Sequence, residues 1–388
     1  MLFGVGCERP FVEHAPATFE LVQPDSLDQA FTRRTLPVEI NVSAQRDVRG
    51  VRLNGEEMSR SERRRDVWTD TVALNVGVNE LQLATYDGEG VIGRDTLYTA
   101  AAGDAFLLPD DQVRAERVEA SLVAPRVGHT ATRLPDGRVL LLGGSRAAKP
   151  TSASDLVRAV EVYDPVSQDF QRLPVSGRAA PRRTRHGAFL MTRAPNPVIG
   201  VYGGYGGTGE PLSPRGDLRR FMLRRDTLVA LDPALGLTLP GDLGEAIDGH
   251  TITPLAGPQF LVAGSYFVSE GARDVTFRLN ASSLNDRSTL PAPRFRTPRT
   301  RHAAAPVTGN PAVLFFGGRL GNTASTALND VELHAPREGE TFGVRGGLPS
   351  SVFSLTATKR APSRILLLGG FSVTGEGRTD GVFFDITG

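Results

Sequence analysis

One pattern recurs five times between Arg126 and Gly370 and limits what this chain of 388 residues can fold into. Its first copy opens Arg126-Val127-Gly128-His129-Thr130, passes the turn Pro135-Asp136-Gly137, and ends Val139-Leu140-Leu141-Leu142-Gly143-Gly144. The second pairs Arg185-His186 with Gly203-Gly204, and the third pairs Gly249-His250 with Ala263-Gly264. The fourth pairs Arg301-His302 with Gly317-Gly318, and the fifth keeps the apolar run and Gly369-Gly370 but lacks the histidine. Four of the six histidines thus share one repeat position, which chance rarely arranges. Self-similarity at roughly 50 residues marks a solenoid, propeller or array.

Each copy continues alike. A variable loop is followed by a third strand, as in Val160-Glu161-Val162-Tyr163 or Val331-Glu332-Leu333-His334, and then by a fourth, as in Phe170-Gln171-Arg172-Leu173. Four strands per repeat is the content of a propeller blade. The Gly-Gly doublet closing an apolar strand, with a later tyrosine, resembles the kelch family; Phe170 and Phe342 stand where that family has tryptophan. The resemblance covers residues 104–388 and implies a five-bladed propeller. The last repeat ends after its third strand, Gly381–Asp385, so residues 104–122 are predicted to supply the fourth.

Residues 17–100 read differently. Val38, Ile40 and Val42 alternate with polar residues, the period of a half-buried strand. Asn54-Gly55 and Asp87-Gly88 are tight-turn signals between such runs. Val51-Arg52-Leu53-Asn54-Gly55 and Gly77-Val78-Asn79-Glu80-Leu81 resemble a bacterial immunoglobulin-like module, which implies a β-sandwich serving as a spacer. The predicted fold class is therefore all-β, a sandwich followed by a five-bladed propeller. Hydrophobic residues at 40% and charged residues at 22% fit globular domains rather than disorder.

Residues 1–16 contain the single cysteine. Leu2-Phe3-Gly4-Val5-Gly6-Cys7 resembles the end of a bacterial lipoprotein signal, with Cys7 as lipid acceptor. That implies an exported protein anchored to a membrane and facing the periplasm or the cell exterior. A net charge of +1 gives no reason to expect nucleic acid. A lone cysteine excludes an internal disulfide and a Cys-rich metal site.

Histidine is the usual base and metal ligand, but His129, His186, His250 and His302 occupy equivalent places around a ring. They are read as one structural solution repeated, each bonding within its own repeat, together with Gly143, Gly144, Gly203, Gly204, Gly264, Gly317, Gly318, Gly369 and Gly370. No catalytic residue, metal or cofactor is assigned. In kelch proteins the ligand face is built where first strands begin and just after the doublets. Carried onto this chain, those positions are Arg126, Arg146, Arg185, Tyr205, Tyr266, Arg299, Arg301, Arg319 and Phe371. The set is rich in arginine and aromatics and carries no acid, which suits an anionic protein or glycan ligand. Bonding of these arginines to neighbouring blades is the other reading. The expected function is a non-catalytic binding or scaffold protein of the bacterial envelope. The alternative is a carbohydrate-active enzyme resembling kelch-fold epimerases.

Overall fold

A computed structural model describes residues 15–27, 29–31, 35–75, 77–101, 105–107, 120–147, 149–177, 182–193, 195–207, 212–236, 248–267, 271–281, 288–307, 312–336, 339–344, 347–361, 364–378 and 380–386. Cys7 lies outside them. The chain divides into two units, Met1–Ala101 and Ala102–Gly388.

In the first unit, Thr18–Gln23, Thr35–Ser43, Val67–Ala73 and Ser59–Arg60 form one antiparallel sheet. Glu56–Glu57, Gly50–Leu53, Gly77–Tyr86 and Val91–Ala101 form another. The alternation of Leu36, Val38, Ile40 and Val42 turns four apolar side chains inward, where they meet Val51, Leu53, Leu81 and Leu83 in one cluster with Trp68. Each such side chain buried is worth about 1.5–3 kcal/mol. Asn54 and Gly55 take φ of 52° and 90°, the left-handed pair that a two-residue hairpin needs.

The second unit is a succession of small antiparallel sheets. The first joins Thr130–Arg133, Val139–Leu142, Val160–Asp164 and Asp169–Leu173. The second joins Gly187–Thr192, Val198–Tyr202, Asp217–Arg224 and Thr227–Gly236, and the third Thr251–Pro254, Gln259–Phe267, Gly271–Asn280 and Thr289–Pro291. The fourth runs through Ala303–Pro306, Val313–Phe316, Val331–Ala335 and Glu340–Val344. In the fifth, Thr356–Ala361, Arg364–Leu368 and Gly381–Asp385 are joined by Ala105–Leu107 from the other end of the unit. Ala105, Phe106 and Leu107 pair with Phe384, Phe383 and Val382. That pairing covers an edge which would otherwise be open to other chains.

Successive sheets pack face to face. Leu140, Leu142 and Val162 of the first meet Ile199, Val201 and Phe221 of the second. Phe189, Tyr202 and Leu218 of the second meet Val262, Phe277 and Leu279 of the third. Leu261 and Ala263 share a cluster with Val313 and Phe315, and Phe316 lies edge-on to Phe384 at 5.2 Å.

Register corrects one repeat assignment. Thr130 pairs with Leu142, Gly187 with Tyr202, Thr251 with Ala263, Ala303 with Phe316 and Thr356 with Leu368. Ala263 therefore matches Leu142, and the third doublet is Gly264-Ser265 rather than Ala263-Gly264. Gly264 shows the same need as Gly143: a Cβ at either would lie 2.5 Å from the next repeat's His302 or His186 ring. Serine at the second place is what hid the doublet from sequence inspection.

The doublets fasten one sheet to the next. Gly144 N–H donates to Arg183 O at 2.7 Å, and Gly318 N–H donates to Val352 O at 2.9 Å. Gly317 has φ of 56°, and a Cβ there would lie 2.4 Å from Val352 O. Gly369 has φ of 69°, yet its Cβ would meet no described atom within 4 Å. Gly317→Ala is thus expected to destabilise by about 2 kcal/mol or more, since strain and backbone overlap add, whereas Gly369→Ala costs about 1 kcal/mol from strain alone. Thermal unfolding of the two variants side by side checks this; equal melting temperatures would overturn it.

Candidate functional site

The residue before each repeated histidine adopts a left-handed backbone. Gly128, Arg185, Gly249, Arg301 and Ser354 have φ of 66°, 56°, 68°, 54° and 56°. For arginine and serine that conformation costs on the order of 1–3 kcal/mol and needs a reason to persist. Backbone bonds between successive repeats hold it: Arg185 N–H donates to Gly128 O, Arg301 N–H to Gly249 O, and Ser354 N–H to Arg301 O, each at 2.7 Å.

This arrangement brings Arg185 and Arg301 to a cavity of about 490 Å³, lined also by Lys149, Pro150, Thr184, Tyr205, Arg319 and Asn322. Among the described residues, four cationic side chains line it and no carboxylate does. Arg319 is placed by its own donations to Asn322 O at 3.0 Å and Asn322 Oδ1 at 3.3 Å, and its guanidinium sits 4.8 Å from the Phe353 ring centre. Phe371 stacks on Phe353 at 5.6 Å.

Beneath the cations lies Asp248, whose side chain is 4% exposed and whose Oδ2 is 3.8 Å from Arg185 Nη1. Its Oδ1 accepts no hydrogen bond from the described residues. Burial pushes this carboxyl above its ordinary value, and Arg185, Arg301, the Gly249 N–H and Arg319 only partly oppose that. The equivalent positions hold Val127, Thr184, Thr300 and Phe353, so the third repeat is the one with an acid there. Sequence reading missed Asp248, although its being the odd charge at a repeat position was the available signal.

Of the nine residues expected to meet a ligand, Arg185, Tyr205, Arg301 and Arg319 line this cavity. Arg146 and Phe371 are exposed but do not line it. The Tyr266 side chain lies outside the described residues. Arg126 and Arg299 are corrected: their side chains have no exposed surface and are bound by the protein itself. Arg126 pairs with Glu161 and donates to Gly143 O at 3.1 Å and Ala159 O at 2.8 Å. Arg299 pairs with Glu332 and Asp330 and donates to Gly317 O at 2.9 Å. Arg183 repeats the device, pairing with Asp217 at 2.6 Å and donating to Gly203 O at 3.3 Å. The clue was present in Pro125-Arg126 and Pro298-Arg299, each followed in its repeat by a third-strand glutamate.

The histidines join repeats rather than serving their own. His186 Nε2 lies 3.1 Å from Thr130 Oγ1, and His302 Nε2 lies 2.8 Å from Thr251 Oγ1, each threonine belonging to the preceding repeat. His250 faces Gly187 instead, where no hydroxyl exists, and packs edge-on to Tyr202 at 5.8 Å. Burial lowers all three: His186 to about 3, His250 to about 4, and His302 well below the usual value. Among the described residues no three His, Cys, Asp or Glu side chains are grouped to hold a metal ion.

No protein-family model matches this chain, and no curated protein matches it. Among solved structures, the chain titled "Structure of YjhT" matches with a TM-score of 0.50 at 13% identity, covering 80% of this chain and 92% of that one. At that identity the likeness speaks to fold alone.

Proposed function

We propose that this is a binding protein whose second unit is a five-bladed kelch-type propeller, presenting a cationic cavity to an anionic group on a protein or glycan. The observation that carries the reading is the convergence of Lys149, Arg185, Arg301 and Arg319 on one cavity with no carboxylate among its described lining residues. Arginine is the residue best suited to planar, bidentate recognition of carboxylate, sulfate or phosphate. Support for the propeller comes from five consecutive four-stranded repeats packed in chain order, and from the strand 105–107 completing the last. On this reading the first unit is an immunoglobulin-like sandwich acting as a spacer, and Cys7 carries a lipid anchor on an exported protein.

The test is titration calorimetry with inorganic sulfate on the wild type and on a chain carrying both Arg185→Leu and Arg301→Leu. Loss of two charge-assisted bonds should weaken binding by at least roughly tenfold. Unchanged affinity, or no binding to the wild type, would sink the assignment of the site.

A further inference from the structure

Asp248 is out of place in an anion site. An acid buried against the cations of a binding cavity repels the ligand the cavity is built to hold. Its position is nevertheless fixed by the fold: Thr300 Oγ1 donates to Asp248 O at 3.3 Å and to Gly249 O at 3.4 Å, so the backbone that bears it is clasped by the next repeat. The charged groups facing the carboxyl come from both neighbouring repeats. Arg185 approaches from the second, and Arg301 and Arg319 from the fourth. From its own repeat come the Gly249 N–H and, two residues on, His250, which burial keeps neutral. Three cations therefore surround one anion that is nearly removed from water.

We propose that Asp248 sets the anion affinity of the cavity, acting as a built-in counter-anion that competes with the ligand for Arg185, Arg301 and Arg319. With the carboxylate charged, part of the arginine field is already answered and an incoming anion meets repulsion from below. With it protonated, the same three guanidinium groups no longer answer its charge, so binding tightens in acid. This rests on the cavity being an anion site. Asp248 acts through the arginines and is a positioning residue. Nothing is required of the ligand except negative charge.

Sulfate is the right ligand for the test, since its charge is constant across the range used. Affinity is measured by titration calorimetry near pH 7.5 and near pH 5, on the full chain, as wild type, Asp248→Asn and Asp248→Thr. Threonine is the natural residue here in the second and fourth repeats, so the second variant guards against a folding defect in the first. Circular dichroism confirms that each is folded. The wild type should bind sulfate more tightly near pH 5 than near pH 7.5. Both variants should bind it roughly tenfold more tightly than the wild type near pH 7.5, the scale of a dianion relieved of one unit charge several ångströms away, and should lose the pH dependence. Variants that bind equally or more weakly near pH 7.5 would overturn the role of Asp248 while leaving the cavity assignment standing. Absence of sulfate binding in every protein at both pH values would remove the cavity assignment and this inference together.

Discussion

Arg299→Met should destabilise the second unit by about 3–5 kcal/mol, the usual cost of leaving a buried charge without its partner. The Arg299 side chain has no exposed surface, and its guanidinium pairs with Glu332 and Asp330 while lying 5.1 Å from the Phe295 ring centre. Methionine fills much of the same space, so the loss is electrostatic rather than a cavity. Burial alone would raise the Glu332 carboxyl; the His334 hydrogen bond, the Arg299 charge and the Arg296 N–H overcome that and hold it at about 2. Without Arg299, the carboxylate keeps the N–H groups of Arg296 and Thr297, each at 3.0 Å, and the His334 ring at 3.3 Å, but loses the arginine charge that balanced its own. A domain stable by about 5–15 kcal/mol loses a large share of its margin this way. Arg301→Leu, two residues along, is the comparison: that side chain lines the cavity, and its removal should destabilise less than Arg299→Met does while weakening anion binding. Urea unfolding of both variants decides it. If Arg299→Met unfolds within about 1 kcal/mol of wild type, the clamp is not a major support of the fold.

Acid should weaken the second unit between about pH 6.5 and pH 4. His186 and His250 are held neutral at about 3 and about 4, because burial penalises the charged ring; nearby Arg183 adds to this at His186. In the unfolded chain each titrates near 6.5. Their folded values are depressed, so between about pH 6.5 and pH 4 the unfolded state binds protons that the folded state refuses. Stability therefore falls with falling pH across that window, and the contribution is complete only above it. Each fully coupled histidine gives up to about 1.4 kcal/mol per pH unit. Two of them amount to something on the order of 5 kcal/mol by about pH 4.5, with His302 acting in the same direction. Asp248 works oppositely, since its raised carboxyl takes up a proton in the folded state. It is one group against these histidines, to which His129 and His334 add in the same direction. Urea midpoints near pH 7.5 and near pH 5 measure the slope. His250→Leu should flatten it, and leucine is native at this position as Leu355 in the fifth repeat. A midpoint unchanged by acid would mean that these rings are hydrated in solution.

The histidines show what repetition in sequence does and does not say. Their common spacing is read as structural, four identical side chains at one repeat position answering one packing need. Their partners were assigned to the wrong repeat. His186 reaches Thr130 and His302 reaches Thr251 across the packing between sheets, a relation that pattern matching within one repeat does not contain. Gly187 opposite His250 is the junction where no hydroxyl meets the ring.

By itself the sequence determined the all-β character and the pairing of the segment near residue 105 with the strand 381–385. Those follow from local alternation, turn residues and the length between glycine pairs, all short-range properties of the chain. Tertiary structure alone decided which arginines belong to the fold and which to the cavity. Arg299 and Arg301 differ by two residues along one strand approach. A backbone turned to positive φ at Arg301 brings one guanidinium to the cavity, while Arg299 lies buried against Glu332. Whether a charge is satisfied internally depends on partners more than 30 residues away in sequence, as Asp330 and Glu332 are from Arg299, and desolvation is a property of packing that composition does not carry.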